Sequence, residues 1–448
     1  MLIDYFWEIQ ILLCILFVGC IILLFYFPFP NPTPVSLNPI VLSIPIYFIL
    51  IGVELLAERW HQTQRYHLAD ALTNISCGVT SQVTAAFMRI VGVGAYAFIY
   101  EHWALLHIRQ SWAVGLLLFV LVDFGYYWAH RLSHEINLFW GGHVVHHQSE
   151  DYNLSVALRQ SSLQSVFTFF VYLPLAVIGF EPVFFVYISA FVTLYQFWIH
   201  TEFIGQLGPL EWVLNTPSHH RVHHGRNPRY IDKNYAGAFI VWDRLFGTFE
   251  PETERPVYGI TTPLRSWNPL WANISHYPAL WAQVMATPGL GNRLRVIFGR
   301  PGWRPTEQGG QMEIPAVDEA TYQKYQPSPV RGVPGYVLAQ YVVLIGGAAL
   351  FLFQQATLPT AARYLLAVWV AAGVVAGGGL LENRAWAWAL EVPRLLASLG
   401  LLVAFLWGTT WLAGAAVTGT LFVLVSLVWF YRLRSVGVAA ASAAGAIS

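Results

Sequence analysis

The sequence is poor in charged residues and in cysteine. Charged side chains make up 11% of its 448 residues, whereas a soluble domain carries about 25%. Hydrophobic residues make up 56%, so the composition excludes an ordinary soluble domain and predicts a polytopic membrane protein. The only cysteines are Cys14, Cys20 and Cys77, an odd and small number that disfavours a disulfide framework or a cysteine-based metal site. The formal net charge of zero gives no indication of nucleic-acid binding.

Long apolar runs predict an all-α fold, a polytopic membrane helix bundle. We expect spans at 5–27, 40–56 and 112–129, and about four more after residue 335. A polar turn with Glu382, Arg384, Glu391 and Arg394 is expected between the second and third of these four. The predicted segments are N-terminal membrane helices (1–110), a histidine-rich domain (111–300), a Pro- and Gly-rich linker (301–334), a C-terminal membrane bundle (335–434) and a disordered tail (435–448).

Ten of the fifteen histidines lie between His130 and His224. Most of them are three or four residues apart, a spacing that places side chains on one face of a helix. Imidazole binds iron, zinc, copper and nickel. Because this number of ligands exceeds what one ion can hold, the pattern predicts a dinuclear metal site. The predicted ligands are His130, His134, His143, His146, His147, His220, His223 and His224, with His200 as a ninth.

The order of the apolar runs places these histidines on one side of a membrane. The runs at 162–180 and 184–199 predict a helical hairpin, which returns His200 to the side on which the span before His130 ends. The basic residues that follow, up to Arg265, make this side cytoplasmic by the positive-inside rule. We therefore predict a cytoplasmic helical cap that holds the metal site. A closed zinc site usually contains cysteine, so the all-histidine set favours redox iron, with zinc and copper left open.

Several polar residues near the histidines are candidates for orienting the ligands or for catalysis: Asp123, Glu135, Asn153, Asn215 and His219. Metal-bound imidazoles usually donate their second N–H to a carboxylate or a carbonyl. Asp123 lies within an apolar span, where an acid is costly and indicates a functional site, the alternative being a hydrogen bond between helices. Glu135 is either a partner of a ligand or an exposed helix residue, and His219 is either close to the metals or at the surface.

A basic cluster lies beside the last histidines and consists of Arg221, Arg226, Arg229 and Lys233. We predict that it binds a lipid head group or an anionic electron donor. The alternative is a topology signal that contacts anionic lipid at the membrane surface.

The histidine pattern HxxxH, HxxHH and HxxHH resembles that of the fatty acid hydroxylase/sterol desaturase superfamily of membrane di-iron oxygenases. The segments EDYNLSVALRQ at 150–160 and LNTPSHHRVHHGRN at 214–227 are similar to the branch that cleaves alkylglycerol ether lipids. The resemblance is densest between residues 120 and 255 and fills every position of the eight-histidine pattern. It implies that 111–300 is the catalytic domain and that the eight histidines hold two Fe ions. It also implies O2 and a lipid substrate as partners, and tetrahydrobiopterin or another electron donor as reductant.

The resemblance further implies a membrane monooxygenase that hydroxylates the carbon next to the ether oxygen and so releases a fatty aldehyde. One alternative is a sterol or fatty-acyl hydroxylase or desaturase of the same superfamily. An alternative of another class is a metal-handling membrane protein, which the sequence disfavours because transport sites lie near the bilayer midplane. The expected location is a bacterial plasma membrane or an endoplasmic reticulum.

Overall fold

The computed structural model describes residues 39–355, 357–406, 408, 410 and 412–445. Regular structure in this part of the chain is almost entirely helical, with two isolated β-bridges, Leu214–Phe239 and Gly225–Tyr258. The predicted all-α fold is therefore confirmed. The predicted span at 5–27 lies outside the described residues.

In chain order, the described α-helices are α1 (Pro39–His61), α2 (Leu68–Trp103), α3 (Trp112–Glu135), α4 (Asn137–His147), α5 (Gln164–Thr168), α6 (Leu173–Ile178), α7 (Pro182–Tyr195), α8 (Pro217–His224), α9 (Val241–Phe246), α10 (Pro269–Ile274), α11 (His276–Ala286), α12 (Leu290–Phe298), α13 (Val333–Gln354), α14 (Thr360–Leu381), α15 (Ala385–Leu406) and α16 (Leu412–Gly445). Short 3-10 helices occur at Val156–Leu158, Phe169–Tyr172, Gly208–Trp212 and Thr306–Gln308.

Five of the described helices are long and apolar enough to cross a membrane. They are α3, α13, α14, α15 and the Leu412–Ser435 part of α16, and α2 is a sixth candidate if its two halves, bent by 40°, form one span. The predicted span at 112–129 and the four predicted C-terminal spans are thus confirmed as apolar helices. The chain is an integral membrane protein.

The third C-terminal span begins earlier than the sequence indicated. Glu391 and Arg394, expected in a polar turn, lie inside α15 and are buried. Arg394 Nη2 lies 2.6 Å from Glu391 Oε1, so the two charges form an ion pair within one helical turn. This pairing explains why a helix tolerates them there.

The C-terminal segment also differs from the prediction, since the backbone stays helical to Gly445, within the segment 435–448 predicted as disordered. Alanine, frequent in this segment, is the strongest helix former.

The described chain forms two compact units. One contains residues 39–67, 87–264 and 273–323, and the other contains 68–86, 265–272 and the described residues from 324 to 445. All nine predicted metal ligands belong to the first unit. The predicted domain boundaries at 110, 300 and 334 stay predictions.

Helix α3 organises the first unit. Leu118 and Val122 on this helix pack with Phe184 and Ile188 of α7 in a buried apolar cluster. His130 lies about two turns beyond Val122 on the same helix, rotated from it by about 80° around the helix axis. The apolar packing of the span therefore fixes the direction in which the first histidines point.

Candidate metal centre

The nine predicted ligands converge in two groups of imidazoles. The five-histidine group contains His130, His134, His143, His147 and His223, and the four-histidine group contains His146, His200, His220 and His224. Within each group, one ligand nitrogen of every imidazole lies within 4.8 Å of the others. These residues are only 1–7% exposed. The arrangement can hold two metal ions, one in each group.

The two HxxHH segments each divide their histidines between the groups. In α4, His143 and His147 belong to the five-histidine group, whereas His146 belongs to the other. In α8 the assignment is reversed, because the i, i+4 pair belongs to the four-histidine group and His223 to the five-histidine group. At 100° per residue, position i+4 lies about 40° to one side of position i and position i+3 about 60° to the other. A shared helix face therefore does not determine which of the two groups each histidine joins.

Main-chain carbonyls fix the orientation of four imidazoles. The Nδ1–H groups donate from His130 to Tyr235 (2.8 Å), from His146 to Arg159 (3.0 Å), from His200 to Gln196 (2.7 Å) and from His223 to Lys233 (2.9 Å). Because a carbonyl oxygen only accepts, Nδ1 must carry the proton, and Nε2 of the neutral ring presents a lone pair. All four imidazoles therefore offer Nε2 as a ligand atom.

The Nε2 atoms face one another inside each group. His146 Nε2 lies 3.2 Å from His200 Nε2 and 3.1 Å from His224 Nε2. In His146 and His200 the protons are on Nδ1, so two lone pairs face each other across this distance with no proton between them. A shared cation removes this repulsion, and the donor set therefore fits a metal ion better than it fits a hydrogen-bonded cluster.

Burial keeps these imidazoles neutral. Burial lowers the pKa of His146 to about 4 and that of His223 to about 3. It also holds the pKa values of His143, His147, His200, His220 and His224 well below the usual range. Neutral imidazole is the form that binds metals, so the site is ready to bind at neutral pH.

Asp123 holds the loop that supplies the carbonyl partner of His130. Its carboxylate accepts hydrogen bonds from the main-chain N–H groups of Ala238 (2.6 Å) and Phe239 (3.1 Å) and from the indole of Trp242 (2.9 Å). We call residues 235–239 the carbonyl loop. The buried acid in α3 therefore contacts this loop, and it also accepts from Trp242 of α9, so the predicted alternative of a hydrogen bond between helices applies to one of the three contacts.

Asp243 and Asn215 hold the other side of the carbonyl loop. Asp243 accepts from the main-chain N–H groups of Tyr235 (2.8 Å) and Ala236 (2.9 Å). Burial raises the pKa of Asp243 to about 6, so its carboxylate is available to accept at neutral pH. Asn215 Nδ2 donates to the carbonyl of Ala236 (2.7 Å). The carbonyl loop is thus fixed from three directions.

The remaining predicted residues lie farther from the imidazole groups. Glu135 forms ion pairs with Arg131 (3.2 Å) and Arg300 (3.3 Å) and contacts no histidine in the described structure. Asn153 accepts from the main chain two residues on (3.1 Å) and so shapes the turn that leads to the carbonyl partner of His146. His219 belongs to neither group, although it is buried and burial lowers its pKa to about 4.

The four residues of the basic cluster differ in the groups that they contact. Arg221 is buried and makes a bidentate pair with Glu252 (2.7 and 2.6 Å), and Arg229 pairs with a glutamate at the surface. Lys233 contacts the centre through its main-chain carbonyl. Arg226 is 7% exposed, and among the described residues its Nε and Nη1 have no hydrogen-bond partner. Of the four predicted head-group residues, Arg226 therefore has nitrogens left to bind an anion without breaking an ion pair.

Sequence patterns did not identify several groups that shape the centre. The carbonyls of Tyr235, Arg159 and Lys233 act through the main chain, which leaves no residue-type signature. Asp243 carries a signal, since it is an acid in the motif WDRLFGT at 242–248, eight residues after Tyr235, which lies next to the site. Its role follows only once the fold brings the carbonyl loop against it.

Comparison with known proteins identifies the class. The family model for fatty acid hydroxylase matches residues 115–248, which contain all nine converging histidines. An alkylglycerol monooxygenase of Xenopus tropicalis is 40% identical over 384 residues, 84% of this chain and 85% of the relative. That of Danio rerio is 40% identical over 400 residues, 88% of each chain. That of Homo sapiens is 42% identical over 333 residues, 73% of this chain and 74% of the relative. No solved structure matches significantly.

The membrane helices, the buried histidine groups and the family match define a membrane-bound lipid monooxygenase of the fatty acid hydroxylase type. Within that class, the chain belongs to the alkylglycerol monooxygenase family. The resemblance and the oxidoreductase class predicted from the sequence are thereby confirmed.

Proposed function

We propose that this protein hydroxylates alkylglycerols at the carbon next to the ether oxygen. The observation that carries this proposal is that nine imidazoles converge within the segment shared with the fatty acid hydroxylases, in a chain about 40% identical to alkylglycerol monooxygenases along most of its length. The reaction adds one oxygen atom of O2 to the substrate CH2 and reduces the other to water with two electrons and two protons. The resulting hemiacetal collapses to a fatty aldehyde and a glycerol derivative.

In this proposal the metals are two Fe ions, one held by each histidine group. Bound iron supplies the binding and activation of O2 that amino-acid side chains lack. Cysteine takes no part in the two groups, which suits iron better than a closed zinc site. The electrons come from an external donor, for which tetrahydrobiopterin is the candidate implied by the family resemblance.

The protein's own residues orient and enclose the ligands. The carbonyls of Tyr235, Arg159 and Lys233 hold three imidazoles in the tautomer that exposes Nε2. Asp123 fixes the carbonyl loop, so the imidazole of His130 cannot swing away without breaking several hydrogen bonds. Burial of all nine side chains excludes bulk water, which protects the reaction from side products.

We also propose that the centre faces the cytoplasm, in a bacterial plasma membrane or an endoplasmic reticulum. The support is the basic character of the segments next to the centre, including Arg226, Arg229 and Lys233, under the positive-inside rule. In this arrangement Arg226 binds an anionic group of the lipid or of the electron donor. The polar end of the substrate then stays at the membrane surface while its chain reaches the centre.

The test is lipid profiling of cells with and without the gene, fed an alkylglycerol labelled in its alkyl chain. We expect labelled fatty aldehyde, or the acid and alcohol formed from it, only in cells that express the protein. His146→Ala should abolish this product because it removes a nitrogen at the centre of the four-histidine group. His102→Ala, which changes an exposed histidine of α2, is the matched control and should leave product formation intact. Equal product from the two variants would refute the assignment.

One observation favours a second candidate, a C-hydroxylase of a different polar lipid. An ornithine lipid hydroxylase of Rhizobium tropici is 30% identical over 145 residues, 32% of this chain and 44% of the relative. The same profiling distinguishes the two, because hydroxylation away from an ether oxygen yields a stable hydroxylated lipid and no aldehyde.

A further inference from the structure

Helices α11 and α12 share an exposed apolar surface. On α12, Leu290, Leu294 and Phe298 follow one another at i, i+4 and i+8 and are 73%, 47% and 56% exposed. On α11, Trp281 and Met285 are an i, i+4 pair and are 64% and 54% exposed. These spacings place each set on one helix face. We call these five residues the apolar strip.

The opposite faces of the same helices are firmly packed. Leu280, Val284 and Val296 form a buried cluster between α11 and α12. The apolar strip therefore lies on the exposed sides of two amphipathic helices, whose opposite sides are buried in this cluster.

The two helices are attached to the end of a membrane span. Asn137, two residues after α3 ends, donates its main-chain N–H to the carbonyl of Gly299 (2.9 Å) and its side-chain amide to the carbonyl of Val296 (2.9 Å). His276 Nε2, at the start of α11, donates to the carbonyl of Asn137 (3.0 Å). Since α3 is a candidate span from Trp112 to Glu135, these bonds hold α11 and α12 where that span leaves the bilayer.

The charge of this region suits an anionic membrane surface. Residues 269–306 contain Arg293, Arg295, Arg300 and Arg304 and no aspartate or glutamate. Residues 249–254, by contrast, carry three glutamates. Basic side chains near a membrane are attracted to anionic head groups, whereas a row of carboxylates is repelled by them.

We propose that α11 and α12 lie in the head-group region of the membrane that α3 crosses. The apolar strip enters the boundary of the acyl chains, and the arginines other than Arg300, which pairs with Glu135, contact anionic head groups. Amphipathic helices with Trp, Phe and Leu on one side and Arg on the other bind bilayers in this way. The placement does not depend on the proposed reaction. For that reaction it means that the lipid substrate is taken from the leaflet on which these helices lie.

The test places a nitroxide label on the strip in the full-length protein. Leu294→Cys is prepared with the three native cysteines replaced and is reconstituted in vesicles of phosphatidylcholine and phosphatidylglycerol. Thr253→Cys, an exposed position within the glutamate-rich segment, is the control. Collision of the label with O2, which concentrates in lipid, is compared with collision with a water-soluble nickel chelate. We expect the Leu294 label to collide mainly with O2 and the Thr253 label mainly with the chelate.

Equal access of the chelate to the two labels would overturn the proposal. Protection of the Leu294 label from both reagents, with spin–spin broadening that disappears on dilution with unlabelled protein, would also overturn it and indicate contact between two copies. Leu290→Cys repeats the measurement on the same strip in case the first variant does not fold. Vesicles without phosphatidylglycerol should increase the access of the chelate to the Leu294 label, and no change would refute the part assigned to the arginines.

Discussion

Replacement of Asp123 tests how the fold supports the metal centre. The carboxylate accepts three buried hydrogen bonds, from Ala238, Phe239 and Trp242. Asp123→Ala leaves these three donors without an acceptor, and at about 1–3 kcal/mol for each the free energy of unfolding should fall by roughly 3–9 kcal/mol. Asp123→Asn keeps one oxygen but turns an amide toward at least one N–H group, so we expect a loss of about 2 kcal/mol.

The same change should weaken metal binding. The carbonyl loop that Asp123 holds carries the partner of His130 Nδ1, and loss of such outer partners typically costs about 10- to 100-fold in metal affinity. The assay is the metal content of purified Asp123→Asn after equilibration against a series of chelator concentrations, together with its thermal unfolding temperature. Trp242→Phe removes one donor and keeps the carboxylate, so it serves as the milder control.

Two results would refute this reasoning. One is an Asp123→Asn protein with the metal affinity and the unfolding temperature of the unchanged chain. The other is a loss of metal affinity in Trp242→Phe as large as that in Asp123→Asn, because it would mean that packing of the indole, and not the carboxylate, fixes the carbonyl loop.

Three further predictions concern single residues. His200→Ala should lower the metal content from a pair of ions toward a single ion by emptying the four-histidine group, as measured by elemental analysis, and an unchanged pair would exclude His200 as a ligand. Gly237→Ala should cost about 1–3 kcal/mol in thermal unfolding, because its new Cβ would lie 2.5 Å from Asp123 Oδ1; Gly205→Ala, with no atom within 4 Å, is the control. Burial lowers the pKa of His219 from 6.5 to about 4, so between these pH values the unfolded chain binds more protons and stability falls as the pH falls. His219→Gln should make this loss smaller, and an unchanged pH dependence would contradict the shift.

The spacing of the histidines predicted much of the centre. Because i, i+3 and i, i+4 positions are neighbours on a helix, the sequence identified eight residues that the fold brings together, and the hairpin at 162–199 indicated that His200 would join them. The division into five and four depends on how α4 and α8 are rotated relative to α3. That rotation is set by tertiary packing, so spacing alone could not give it.

The limits of the sequence prediction have physical causes. The turn expected around Glu391 and Arg394 assumed that charges mark the end of a span, whereas the fold pairs them inside α15. The basic cluster looked uniform in the sequence, but pairing with Glu252 distinguishes Arg221 from Arg226. Such partners are distant in the chain, and a pattern of neighbours along the sequence does not contain them.

The most direct test of the central claim is the fate of oxygen-18 supplied as O2 to the purified enzyme with an alkylglycerol and a reductant. Hydroxylation next to the ether oxygen predicts one oxygen-18 atom in the fatty aldehyde, trapped at once by reduction to the alcohol, and an unlabelled glycerol product. Metal analysis of the same sample should find iron. Aldehyde oxygen derived from water, or label in the glycerol, would contradict the account.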